Sequence, residues 1–363
     1  MDDREYRAAL IDAANAIIER NLAATEVPVK DYDRRVWSEF TAAGFAALDV
    51  PENLGGSGGT LADALDIVTV AARRGALTPM IEHGVLAAWL AGQSRMALPG
   101  GICTVAIVNE AIVDVGDDGR LVLNGVIDAV PWAREAEAIL LLVDSEQEPQ
   151  RRLALVATGD STVRVHPGTD LVGVPLNDIT FNATVPETVA TTETTAESLR
   201  RRSALAYTAA IAGASRQICD LTIGHARSRT QFGRPLAKFQ AIQQRLAQLA
   251  SVTASIENAA RVATAEGTEA RSIAAVASAA VAASTGAQQI GAAGHQIHGA
   301  IGFTSEYGLG RATTSLWSWR DRHVSADYWS DRLADEVLDE GAGVWNLITG
   351  YPRHEIDDSG VRV

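Results

Sequence analysis

Arg229, Phe232, Gly233 and the glutamines that follow them are the residues best suited to hold a ligand. They lie in Ser228–Ala250, SRTQFGRPLAKFQAIQQRLAQLA. Gly233 can take the left-handed conformation that closes a helix. Pro235 opposes continuation. Behind the turn, Phe239, Ile242, Leu246 and Leu249 fall three or four apart and share one helix face. Gln240, Gln243, Gln244 and Gln248 flank that face with neutral hydrogen-bonding groups. A cation, a ring, a glycine turn and then amides suit a ligand that carries both phosphate and a heterocycle. An ordinary helix–turn–helix junction shows the same local pattern.

R-x-Q-F-G followed by F-Q-x-x-Q resembles the acyl-CoA dehydrogenase family, in which this segment helps to hold FAD. Three further stretches resemble that family in order. Pro51-Glu-Asn-Leu-Gly-Gly-Ser-Gly-Gly is similar to its P-E-x-x-G-G-x-G. Asn124-Gly125 and Phe181…Val185-Pro186 resemble its central strand domain. Gln296-Ile-His-Gly-Ala-Ile-Gly-Phe-Thr-Ser-Glu-Tyr resembles Q-x-x-G-G-x-G-[FY]-x-x-E-[YF], with Ala300 in place of the second glycine. The resemblance implies that Arg229 pairs with a pyrophosphate as a fixed cationic fork and that Phe232 stacks. It also implies that Gln240, Gln296, Gly299 and Ala300 border the nucleotide. In the family these elements reach the FAD of a neighbouring subunit.

The family's chemistry needs a carboxylate to take the α-proton of an acyl-CoA while the flavin takes the β-hydride. Counted forward from Gln296, the usual base position holds His323, within Trp319-Arg-Asp-Arg-His-Val. The tripeptide Glu266-Gly267-Thr268 lies one helix too early to replace it. A second branch places the base at the start of the preceding long helix, where this chain has Ser203, with Glu197 more than a turn away. Asp321 and His323 are the remaining candidates, and a solvated or ion-paired helix end would look the same. The flavin-ring segments also depart from the family. Thr104-Val-Ala-Ile-Val-Asn-Glu stands for T-E-P-G-x-G-S-D, and Val130-Pro-Trp-Ala-Arg stands for W-I-T/S-N, with Trp132 as a surviving ring.

These departures imply a base-less subunit of a heteromeric acyl-CoA dehydrogenase, α2β2 with a homologous partner that carries the Glu. The substrate would be a fatty or steroid side-chain acyl-CoA, with an electron-transfer flavoprotein or similar acceptor. A homo-oligomeric, self-sufficient flavoenzyme using Asp321 or His323 is one alternative. A non-catalytic binding member of the fold is the other.

Composition bounds these readings. The net charge of −14 excludes a nucleic-acid surface but leaves room for local basic patches. Cys103 and Cys219 have no metal-ligand spacing and read as small buried hydrophobes. The acidic, amphipathic start is unlike a signal peptide. No run comes near the roughly 20 apolar residues of a membrane span, so a cytoplasmic protein is expected.

The elements that must position these residues read as α, then β, then α, an α+β protein. Residues 1–97 show helical stripes such as Tyr6, Leu10, Ala13, Ile17 and Ile18. The glycine-rich Pro51–Gly59 loop lacks the Lys-Ser/Thr of a nucleotide P-loop. Residues 98–197 change to short β-type runs at Thr104–Val108, Leu121–Leu123, Ala138–Val143, Leu153–Ala157, Thr162–Val165 and Asp178–Phe181. Together they read as a small sheet or barrel domain, and its Thr/Glu-rich tail from Val189 reads as an exposed linker. Residues 198–363 return to helix. Their expected helices are Leu199–Arg227, a second from Phe239, the Ala-rich Ser272–Ala293 and Tyr328–Ile348. The resemblance makes these a four-helix bundle and the place of subunit contact.

Overall fold

A computed structural model describes residues 3–23, 32–116, 120–144, 151–265, 272–304, 307–322 and 325–339. Helix α1 (Asp3–Ala23) buries Leu10, Ile17 and Ile18 as its stripe predicts, with Ala14 rather than Ala13 completing the face. Helix α2 (Arg34–Ala42) ends at Gly44, whose φ is 81°. Helix α3 (Leu61–Arg73) starts on a capping box between Thr60 and Asp63. Met80–Ala87 then winds as a π-helix and continues as α4 (Ala88–Gln93).

The middle of the chain forms two four-stranded sheets. One has the order β1 (Cys103–Val108), β4 (Ala138–Val143), β5 (Arg151–Ala157), β8 (Thr188–Thr192), with β1 and β4 parallel. The other is antiparallel, in the order β2 (Val113–Val115), β3 (Leu121–Pro131), β7 (Leu176–Thr184), β6 (Val163–Val165). Strand β4 is buried at every position, which explains its unbroken apolar run. Its Ile139 and Leu141 pack into the core between the sheets with Leu123 and Phe181. Its Leu140 and Leu142 belong to the larger core shared with the helices.

The tail read as a linker is instead partly strand. Thr188–Thr192 pairs antiparallel with β5, and Val189 stands 43% exposed on that edge. Threonine is β-branched and favours strands, but an edge strand with one wet face carries little apolar signal. Strand β2 was also not read from the sequence; at three residues it is too short to show alternation.

Helix α5 (Ala196–Ser228) crosses the molecule. It is followed by the hairpin β9 (Thr230–Gln231) and β10 (Arg234–Pro235), then α6 (Gln240–Ala265), α7 (Ser272–His298), α8 (Leu309–Arg320) and α9 (Ala326–Asp339). The expected last helix runs beyond the described residues. Ile211, Ile218, Leu249, Ile256, Ile290 and Leu316 give α5 to α8 a core of their own. The helices approach closely through small residues. A Cβ on Gly213 would lie 2.3 Å from the Thr69 carbonyl oxygen of α3, and one on Gly286 would lie 2.7 Å from Ile256. By length and composition Ile273–Phe303 would pass as a membrane span, against the expectation from the sequence. Its apolarity is mostly alanine, and Ala277, Ala279, Ala283 and Ala287 are buried against neighbouring helices. Cys103 and Cys219 are both free and buried.

His83 ties the helical layer to the first sheet. Its Nδ1 accepts the Cys103 N–H at 2.8 Å, and its ring meets Trp37 edge-on at 5.3 Å. Burial pushes its pKa down to about 4 from 6.5. An unfolded chain therefore binds a proton here at pH values where the folded one does not. The stability this contributes is complete above pH 6.5 and is lost as the pH falls toward 4. The shift corresponds to about 3 kcal/mol. Denaturant midpoints measured between pH 7.5 and 4 should fall steeply, and more shallowly in His83→Gln. Parallel curves for the two proteins would remove His83 as the cause.

Candidate functional site

The end of α5 sets the geometry of the predicted ligand-holding residues. The Arg229 N–H still donates to His225 O at 2.8 Å, and the chain then reverses through the two-residue arms of β9 and β10. The reversal uses positive φ at two positions, Phe232 at 51° and Gly233 at 78°. Glycine adopts this freely, whereas phenylalanine does so at a cost. The result is a ring held 92% exposed at the tip of the hairpin. Behind it, Phe239 lies 6.2 Å away edge-on and carries the Arg234 guanidinium 4.2 Å over its face. Leu236 N–H donates to Arg229 O at 2.9 Å, and Gln243 Nε2 donates to Ala237 O at 3.0 Å. Both bonds fasten the hairpin to the start of α6.

The second predicted cluster meets the first at the same end of the bundle. The rings of His225 in α5 and His298 in α7 stack with centroids 4.4 Å apart, and Tyr307 tilts against His298 at 5.0 Å. This contact joins the Arg229 hairpin to Gly299, which turns the chain with φ 65°. Burial lowers the pKa of both histidines. Arg229, Phe232, Gln240, Gln296, Gly299 and Ala300 are all exposed. Gln296 faces a groove of about 530 Å³ between α6 and α7, shared with Arg245 and Gln248. The six residues therefore form a surface and not an enclosed pocket.

The base candidates fare differently. Ser203 is 1% exposed, deep in α5, and its Oγ has no hydrogen-bond partner among the described residues. A lone hydroxyl there cannot take an α-proton at useful rates. Its neighbour Arg202 is buried in an ion pair with Asp49, with the guanidinium 4.4 Å over Trp89. Asp321 is the ion-paired helix end that its sequence position allowed, with Arg320 donating to both carboxylate oxygens at 2.6 and 2.8 Å. His323 lies outside the described residues, as do Glu266-Gly267-Thr268 and Glu306.

The flavin-ring positions are turned inward. Trp132 is 2% exposed and packs edge-on against Tyr32 at 5.1 Å, so it offers no free face to a ligand ring. The Thr104 hydroxyl is buried and donates to Pro131 O at 2.7 Å.

Beside them lies a buried polar network that the sequence reading missed. Tyr207 OH donates to Glu82 Oε1 at 2.6 Å. Arg322 pairs with Asp170 and stands 3.8 Å from Glu82. Asp170 also accepts the N–H groups of Val172 and Val174 at 3.0 and 2.9 Å. Burial raises the pKa of Glu82 and of Tyr207. The available signal was Glu82-His83 inside the apolar run Met80–Leu90, a charge where none should be.

Helices, two sheets and a helical bundle, in that order and with an exposed cation-and-ring turn leaving the bundle, define an acyl-CoA dehydrogenase-type oxidoreductase. The sequence matches the family models "Acyl-CoA dehydrogenase, N-terminal domain" over residues 2–93 and "Acyl-CoA dehydrogenase, C-terminal domain" over residues 196–316. Acyl-CoA dehydrogenase IpdE2 of Mycobacterium tuberculosis is 30% identical over 281 residues, covering 77% of this chain and 79% of that protein. The chain belongs to the acyl-CoA dehydrogenase family. A chain of the solved ChsE4-ChsE5 complex from Mycobacterium tuberculosis shares the fold with a TM-score of 0.80 at 22% identity, over 92% of this chain and 97% of that one. The steroid ACAD Tcur3481-Tcur3483 gives the same TM-score and identity over 93% and 99%.

Proposed function

We propose that this chain is one subunit type of an FAD-dependent acyl-CoA dehydrogenase and lends nucleotide contacts to a flavin seated mainly on a homologous partner. One observation carries this reading. The residues suited to a dinucleotide are exposed together at one bundle end, while the chain's own ring and base positions are buried, ion-paired or replaced. When bound, FAD supplies the acceptor for the β-hydride. Arg229 would present a planar fork to the pyrophosphate, and Phe232 would offer its exposed ring for stacking. Gln240 and Gln296 offer amide donors and acceptors without adding charge. Gly299 and Ala300 let a ligand approach the backbone.

The α-proton goes to a carboxylate of the partner. The likeness to a chain of a two-component complex supports an α2β2 assembly, and the likeness to a steroid ACAD puts a steroid side-chain acyl-CoA beside a fatty one as the candidate substrate. An electron-transfer flavoprotein or a similar acceptor would take the electrons onward. The test is reconstitution: flavin retention and acyl-CoA oxidation by the chain alone, by its partner alone, and by both together. Retention and turnover by this chain by itself would overturn the proposal.

A further inference from the structure

The bundle end that carries the hairpin has a charge unlike the rest of the chain. Between Asp220 and Glu257 the sequence holds no acidic residue and five cations, Arg227, Arg229, Arg234, Lys238 and Arg245, in a protein whose net charge is −14. Residues 272–304, which bring Gly299 to the same end, contain no Asp, Glu, Lys or Arg. The first four cations are exposed, and Arg245 is half-buried beside Gln248 in the groove between α6 and α7. None of the five is held in an ion pair among the described residues. Two large rings are exposed at that end as well. Phe232 stands at the hairpin tip, and Phe303 is 73% exposed with one face on His295 at 4.3 Å.

We propose that this end is a docking surface for an acidic face of the homologous partner subunit, which closes over the hairpin. The inference rests on the subunit reading above and adds the charge of the partner's face. A pyrophosphate carries one negative charge per phosphate, so a cofactor alone leaves most of the five cations unanswered. Small-molecule sites bury most of their ligand. The hairpin is an open surface, so a second wall has to come from another molecule. Arginine and aromatic rings are the residue types that protein interfaces gather, whereas lysine is depleted there. Four of the five cations are arginine. Charge also sets the orientation. A chain at −14 repels an acidic partner over most of its surface and attracts it here, so productive encounter favours this face.

The probes are the Glu-bearing dehydrogenase homologues encoded in the same genome. Each is mixed flavin-free with the flavin-free chain in a stopped-flow instrument, from low to high ionic strength. With the true partner the association rate should fall as salt rises. Arg227→Glu combined with Lys238→Glu leaves Arg229 and Gln240 in place. At low salt it should slow association about ten-fold or more and flatten the salt dependence. Both side chains are exposed, so the melting midpoint should not move. Arg227→Lys should associate at close to the parent rate, because it keeps the charge. No association with any such homologue, a rate indifferent to salt, or an unaltered rate in the double variant overturns the proposal. So does binding of the free chain to phosphatidylserine vesicles or double-stranded DNA that the double variant abolishes, since the cations would then serve those instead. If the double variant does not fold, Arg227→Gln decides, with a smaller slowing expected and an unaltered rate overturning the proposal. Flavin content and turnover of the separate and mixed proteins test the subunit reading by themselves. A chain active alone sinks that reading, whereas docking of the flavin-free proteins is read from the rates.

Discussion

Purified by itself, the chain should leave acyl-CoA unoxidised, and addition of a homologous subunit carrying a Glu base should restore turnover by roughly 10²–10⁴-fold, the usual worth of a positioned general base. The expectation follows from what occupies the base positions. Ser203 is sealed inside α5, and Asp321 holds Arg320 through both oxygens. Both oxygens of that carboxylate are already engaged by Arg320, so neither is held toward a substrate. Asp321→Asn and His323→Ala in the reconstituted complex should therefore stay within about two-fold of the parent rate, against the far larger general-base factor. Replacing the partner's Glu by Gln should remove activity. If the single chain reduces an electron acceptor with acyl-CoA, and either substitution in it ends that activity, the chain has its own base and the subunit assignment fails.

Arg229→Ala should lower FAD affinity of the assembled protein by about ten-fold or more, from a charge-assisted hydrogen bond worth roughly 1.5–3 kcal/mol. Arg229 is exposed and, among the described residues, is fastened only through its backbone, by the bonds to His225 O and from Leu236 N–H. Its side chain can be removed without opening a cavity, so the thermal midpoint of the flavin-free protein should not move. Arg229→Lys should recover part of the affinity, since a point charge replaces the charge but not the planar fork. The readout is equilibrium dialysis of flavin with a parallel melting curve. Unchanged affinity, or a loss that tracks a lowered melting midpoint, counts against a cofactor contact.

Local periodicity made much of the architecture legible. The six apolar letters of Ala138–Val143 mark a strand covered on both faces, and the stripe of α1 marks its buried side to within one residue. The hairpin was legible too, because Gly233 and Pro235 punctuate one place. Thr188–Thr192 was misread because a half-wet edge strand lacks alternation strong enough to notice. The buried network was invisible for a different reason. Tyr207 lies 125 residues from Glu82, and Arg322 lies 152 from Asp170. Charged letters suggest surface unless their partners are known, and no local window contains both members of either pair. The exposure of all six candidate residues was equally unreadable, since sequence spacing does not say which end of a bundle faces outward.

The length of α5 limits what a single cofactor can do here. Its 33 residues make a rod about 50 Å long. Near its first turn, Leu199 and Arg200 border a cleft of about 350 Å³ against β1 and β3, and the Phe232 hairpin leaves from its last. One dinucleotide cannot bridge that distance, so a flavin touched at the hairpin is out of reach of the same chain's cleft. Under the proposed subunit role, the two ends would serve different molecules. In a paired assembly in which only the partner seats the ring, the stoichiometry is one flavin for each two chains.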